Sequence, residues 1–164
     1  RRLNVPMTGV VRAYIALGAN LGDARGTVRA AMDQLARLPQ TQPVAASSLY
    51  RTAPVDSSGP DYINAVMAVD TGLTAMQLLH AMQLIELQSG RERPYRNAPR
   101  TLDLDLLLHG DLVQDDAELV LPHPRMVQRA FVLVPLHEIA PELVTAEQLE
   151  AVAGQDIVRL DETL

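Results

Sequence analysis

The chain has 164 residues, 48% of them hydrophobic, which is enough for one compact domain with a buried core and too few for two ordinary domains. Its formal charge of −6 speaks against a general nucleic-acid binder, because such a protein needs a basic surface to displace counterions from phosphates. There is no Cys, and all 14 basic residues are Arg, so disulfides, thiolate nucleophiles, phosphate-loop lysines and Schiff-base lysines are excluded.

Val10 to Leu17 is mostly apolar and β-prone and reads as a buried strand. It runs through the loop Gly18-Ala19-Asn20-Leu21-Gly22-Asp23 into a helix whose apolar face is Val28, Ala31, Met32, Leu35 and Leu38, ending before Pro39. The two loop glycines permit a close backbone approach to a ligand, but plain turn chemistry explains them equally well. Val44 to Thr52 reads as a second strand and Tyr62 to Thr71 as a third, joined by a Pro-, Gly- and Ser-rich loop over residues 53–61. Tyr62 and Asn64 share a face of the third strand, as half of a planar-ligand pocket or as satisfied core polarity.

Thr74 starts a helix, with Gln77 placed for a capping box, an apolar stripe of Ala75, Leu78, Leu79, Met82 and Ile85, and Gly90 as its stop. Gln83 and Glu86 read as ordinary solvated positions near its end. Residues 91–100 then hold four Arg against one Glu, and Pro94 and Pro99 keep them irregular.

This basic loop leads directly onto Leu102-Asp103-Leu104-Asp105-Leu106-Leu107-Leu108. In a strand Leu102, Leu104, Leu106 and Leu108 share one face, and Asp103 and Asp105 stand side by side on the other, roughly 6 to 7 Å apart at Cα. A solvated strand face can carry such a pair. Two carboxylates that repel unless a cation lies between them also make a Mg²⁺ platform, and adjacent guanidinium groups point to polyphosphate.

His109-Gly110-Asp111 supplies a turn, with Leu112 to Gln114 as the expected hairpin partner of the aspartate strand. Pro122-His123-Pro124 holds an imidazole in a rigid connector close to Arg125 and Arg129. Arg129 and Phe131 are expected to close a short helix, and residues 145–164 to form a weakly specified tail with a short helix near Ala146 to Val152. The interspersed helices and strands give an α+β sandwich, its helices packed on a mixed or antiparallel sheet.

Gly90-Arg91-Glu92-Arg93 followed by Ala98-Pro99-Arg100-Thr101-Leu102-Asp103-Leu104-Asp105-Leu106-Leu107 resembles the signature of 6-hydroxymethyl-7,8-dihydropterin pyrophosphokinase from folate synthesis. Tyr14 to Gly22, Tyr50-Arg51-Thr52, Asp61 to Ala65, Ile85 to Gln88 and Pro122 to Phe131 resemble further blocks of that family, so the likeness spans about residues 10–144 of a single domain, 1–164. It implies a ferredoxin-like three-layer α-β-α sandwich with a mainly antiparallel sheet. The implied reaction moves pyrophosphate from ATP, the co-substrate, to the pterin hydroxymethyl oxygen and leaves AMP.

The resemblance assigns Asp103 and Asp105 to two Mg²⁺ ions, and Arg91, Arg93, Arg96, Arg100 and His123 to phosphate. It also implies ATP contacts at Leu79, Gln83 and Leu106. On the pterin side it implies Tyr62 and Phe131 as the aromatic sandwich, Asn64 as the amide reading its edge, and Thr52, Ala53, Val55 and Arg129 as neighbours. Asn97-Ala98 stand where the family often has Trp-Gly, Ala19 where Ser is common, and Pro124 where Tyr is frequent.

A two-metal phosphohydrolase or a non-catalytic nucleotide-binding module could use the same acids. The first would ordinarily recruit more carboxylates. No apolar run approaches the ~20 residues of a membrane span, and Arg1-Arg2-Leu3 opens no signal-peptide core. A cytoplasmic monomer is expected, with small-molecule substrates and no nucleic-acid or membrane partner.

Overall fold

Strand alternation builds the sheet. In the computed structural model, which describes residues 9–54, 59–89 and 102–160, strand β1 (Val11–Ala19) sends Ala13, Ile15 and Leu17 to one side and Tyr14 and Ala16 to the other. Strand β4 (Tyr62–Thr71) likewise sends Ile63, Ala65, Met67 and Val69 to the first side and Val66 and Ala68 to the second. Both faces of the central strands are apolar, so each must be covered.

Helices α1 (Ala24–Ala36) and α2 (Ala75–Ser89) cover the first face with Val28, Leu35, Leu78 and Met82, while α3 (Ala130–Ile139) covers the second with Val132, Leu133 and Leu136. Each such side chain contributes about 1.5–3 kcal/mol when fully buried. The outcome is an α+β three-layer sandwich. Its sheet order is β5 (Asp103–His109), β1, β4, β3 (Tyr50–Thr52), β8 (Ile157–Arg159), with β2 (Thr41–Ala46) on β4 beyond β3, and the pairs are antiparallel. The β5-β1-β4-β3 core has the ferredoxin-like arrangement.

Thr74 and Gln77 form the expected reciprocal cap of α2, with Gln77 N–H donating to Thr74 Oγ1 at 3.1 Å and Thr74 N–H to Gln77 Oε1 at 2.8 Å. Among the described residues no helix is long and apolar enough to cross a membrane.

The structure corrects several expectations. The second strand is two strands, because Val66 N–H donates to Ser47 Oγ and Ser48 donates from both N–H and Oγ to the Glu138 carboxylate, bending the chain between β2 and β3. In β5, Tyr14 pairs with Leu108 and Ile15 with Leu106, leaving Leu107 as a bulge residue. The leucine alternation therefore ends at Leu106: Leu107 and Leu108 both pack on the α3 side, the side of the aspartates.

The segment after Gly110 does not pair with β5; β6 (Gln114–Asp115) pairs instead with β7 (Val120–Leu121). Arg129 closes the 3-10 turn Met126–Gln128 and also stands at the N-cap of α3, so Phe131 lies in the first turn of the next helix instead of closing one. The tail is more structured than expected over its described residues, 145–160. It forms the expected short helix, α4 (Ala146–Ala151), capped reciprocally by Thr145 and Gln148, and then an unexpected strand, β8, on β3.

Candidate active site

A cleft of about 480 Å³ opens where β1, β3, β4 and β5 come together, lined from both the α3 and the α2 side. Its lining brings Asp103 and Asp105 together with Thr52, Ala53, Tyr62, Asn64, Arg129 and Phe131, and also with Leu79 and Gln83 of α2. Residues predicted for metal, pterin and nucleotide thus share one hollow. Leu106 does not join them, since its side chain is in the core at 3% exposure. Val55, Arg91, Arg93, Arg96 and Arg100 lie outside the described residues.

Strand alternation explains the floor. Tyr62 and Asn64 precede Val66 and Ala68 on the same face of β4, so the polar pair continues the stripe that packs α3. Asn64 is buried, and its Oδ1 accepts from the Thr52 hydroxyl at 2.6 Å. Its Nδ2 lies against Gly18, the register partner of both Asn64 and Asp103. A Cβ on Gly18 would stand 2.9 Å from Nδ2, so this glycine, expected in the loop but found near the end of β1, makes room for the amide.

Asp103 and Asp105 stand on β5 at the sheet edge, Asp103 exposed and Asp105 half-buried. Leu102, Leu104 and Leu106 anchor the opposite face in the core. Glu86, read from sequence as an ordinary solvated residue, accepts the Leu104 N–H at 2.7 Å, between the two aspartates. The signal was available: Leu79, Gln83 and Glu86 lie four and then three residues apart on α2, one stripe over from its core face.

His123 approaches Asp105 from the other end of the strand. Its backbone N–H donates to Leu107 O at 3.0 Å, pinning the Pro-His-Pro connector to the edge of β5. Its Nδ1 accepts from Arg125 N–H at 3.2 Å, which leaves the ring proton on Nε2, 3.9 Å from Asp105 Oδ1. That separation is beyond a hydrogen bond. Burial, reinforced by Arg129 and Arg125 against the opposing pull of Asp105, holds the imidazole below its usual pKa, so at neutral pH it is an uncharged donor.

Phe131 lines the cleft from the first turn of α3, with the Arg129 guanidinium carbon 5.3 Å from its ring centroid. The start of α3 also borders an adjoining hollow of about 560 Å³ that shares Thr52, Ala53, Arg129 and Phe131 and adds Gln155 and Asp156 of the tail.

Farther along α3, Glu138 accepts from Ser48 N–H, Ser48 Oγ and the Tyr50 hydroxyl, and meets Arg159 at 3.4 Å. Burial alone would push its carboxyl up, but the hydrogen bonds from Tyr50 and Ser48 outweigh this and hold it below the usual value. Burial, and then this carboxylate, push the Tyr50 phenol up, so it remains a donor.

The family model for 7,8-dihydro-6-hydroxymethylpterin-pyrophosphokinase matches residues 14–141. A Pseudomonas aeruginosa protein named 2-amino-4-hydroxy-6-hydroxymethyldihydropteridine pyrophosphokinase is 47% identical over 135 residues, covering 82% of this chain and 83% of its own. One of the same name from Methylorubrum extorquens is 43% identical over 150 residues, covering 90% and 95%.

Among solved structures, an HPPK-DHPS in complex with substrates superposes with a TM-score of 0.62 at 12% identity, over 85% of this chain and 42% of that one. A Plasmodium falciparum HPPK-DHPS superposes with a TM-score of 0.64 at 14% identity, over 81% of this chain. The chain spans 42% of the length of each of these two solved chains, and the likeness to them is one of fold.

Proposed function

The chain belongs to the 7,8-dihydro-6-hydroxymethylpterin-pyrophosphokinase family, and from that premise we propose that its cleft transfers a diphosphoryl group from ATP to the hydroxymethyl oxygen of 6-hydroxymethyl-7,8-dihydropterin, as in folate synthesis. The hydroxyl oxygen bonds to the β-phosphorus, the bond from that phosphorus to the α-phosphate oxygen breaks, the hydroxyl proton is released, and AMP leaves. The observation that carries this reading is one cleft holding both an aromatic and amide floor and a pair of strand-borne carboxylates.

Tyr62 and Phe131 supply faces for a flat heteroaromatic ring, and Phe131 is the only Phe of the chain. With Oδ1 engaged by Thr52, Asn64 offers its Nδ2 hydrogens to an acceptor on the ring edge. Ala53 and Arg129 border the ring, with Val55 added by the family resemblance. Leu79 and Gln83 border the nucleotide. His123, uncharged and donating from Nε2, offers a hydrogen bond to a phosphate oxygen. Arg91, Arg93, Arg96 and Arg100 enter as phosphate-gripping residues on the resemblance, and a guanidinium can hold two oxygens at once.

Asp103 and Asp105 fit two Mg²⁺ ions. They are accessible oxygen donors on a stiff strand, and among the described residues no group of three His, Cys, Asp or Glu surrounds a cation, which suits ions completed by phosphate and water. Bound there, Mg²⁺ would offset the negative charge on the phosphoryl oxygens. The substrates are small molecules, and we take the protein to act as a cytoplasmic monomer.

Incubation with ATP, Mg²⁺ and the reduced hydroxymethylpterin should release AMP and the pterin diphosphate. ADP or phosphate as the sole product would overturn the transferase reading in favour of a hydrolase or another kinase. Binding of both ligands without turnover would mark a nucleotide-binding module.

A further inference from the structure

We infer that Gln155, in the tail beyond the residues matched by the family model, is a positioning residue that sets Phe131 and Arg129 for the pterin. The inference rests on the reading of Phe131 as a wall of the pterin pocket.

The start of α3 is poorly held by its own sequence. A helix leaves its first N–H groups without partners, and Ser, Thr, Asp or Asn ordinarily satisfies one of them from the N-cap. Here the N-cap is Arg129, whose side chain makes no capping bond. Pro135 has no N–H, so the carbonyl of Phe131, four residues earlier, lacks its helical donor as well. The turn that carries Phe131 therefore depends on outside support.

Gln155 provides it from 25 residues away. Its Oε1 accepts the Ala130 N–H at 2.8 Å, and its Nε2 donates to the Gln128 carbonyl at 3.0 Å. One planar amide thus grips the residues on either side of Arg129 and fixes the direction in which Arg129 and Phe131 leave the backbone. Gln155 is itself held, its N–H donating to Val152 O at 3.0 Å at the end of α4.

Two residues on, Ile157 pairs with Thr52, the residue whose hydroxyl orients Asn64. Segment 155–157 therefore ties one wall of the pocket to its floor.

The test uses the full chain, with the wild type assayed first for AMP release. Gln155→Leu removes both side-chain bonds; Gln155→Glu keeps the acceptor for Ala130 and loses the donor to Gln128. The Leu variant should raise the pterin KM about tenfold while the ATP KM stays within about twofold. The Glu variant should fall between it and the wild type. Should the Leu variant fail to fold, a pterin-selective rise of about threefold in the Glu variant carries the inference alone.

Equal changes in both KM values, or a lower Tm with both unchanged, would overturn it and leave Gln155 a purely structural brace. A wild type that releases no AMP would instead overturn the functional reading.

Discussion

The Thr52 hydroxyl and the Asn64 side chain meet at 2.6 Å, both buried, diagonally across β3 and β4. This bond decides which end of the Asn64 amide faces the cleft. Thr52→Val keeps the shape and removes the donor, leaving a buried carbonyl unpaired. Unfolding by urea should show a loss of about 1–3 kcal/mol, and calorimetry should show weaker pterin binding with ATP binding nearly unchanged. Thr52→Ser should restore both.

Gly18 tests the same amide from the other side. A methyl group there would crowd Nδ2, and Thr52 prevents the amide from moving away without breaking its own bond. Gly18→Ala should raise the pterin KM by about tenfold or more, with the ATP KM changed much less. Unchanged pterin kinetics would show that the floor tolerates the shift and that the glycine is not needed to seat the amide.

For the carboxylate platform, Asp105→Asn keeps size while removing the charge and one acceptor oxygen. Turnover should fall by about a hundredfold or more, with pterin affinity preserved within about threefold, because the aromatic and amide surfaces are untouched. Near-normal turnover would remove the metal role from this residue.

Glu138 links pH to stability. Its carboxyl pKa is lowered in the folded protein, so the stabilisation is present in full above the unfolded value of about 4.3 and is lost as pH falls through the folded value. Glu138→Gln should cost about 1–3 kcal/mol at pH 7. That difference should shrink as the pH falls through the folded value, since the wild-type carboxyl then takes up its proton. Urea midpoints across this range check the sign, and a difference that grows on acidification would contradict it.

Local pattern carried the parts of the fold whose partners are close in sequence. The alternation of β4 and the Thr74–Gln77 cap of α2 are written within a few residues of where they act, and both are found as expected. The aspartate face of β5 followed from alternation too. What local pattern missed depends on distant groups. Val44 to Thr52 looks like one strand until Glu138, 90 residues from Ser48, bonds its bend. Arg129 does not look like the residue before a helix, because the cap comes from Gln155. Leu108 appears to continue the leucine face, and only the pairing with β1 reveals the extra residue at Leu107. Of the residues that a motif marks, Asp103, Asp105, Tyr62, Asn64 and Phe131 line one cleft, whereas Gly18 and Gln155 meet neighbours that sequence spacing does not name.

Among the described residues the sheet ends at β5, and a strand edge is a template on which another molecule can add a strand. Two of the polar groups of β5 are already taken, the Leu104 N–H by Glu86 and the Leu107 carbonyl by His123. An antiparallel copy laid along this edge would also bring its own Asp103 and Asp105 towards these. The acids that prepare the strand for metal and phosphate therefore discourage self-association through it, and neutralising both would remove a safeguard of solubility along with the chemistry.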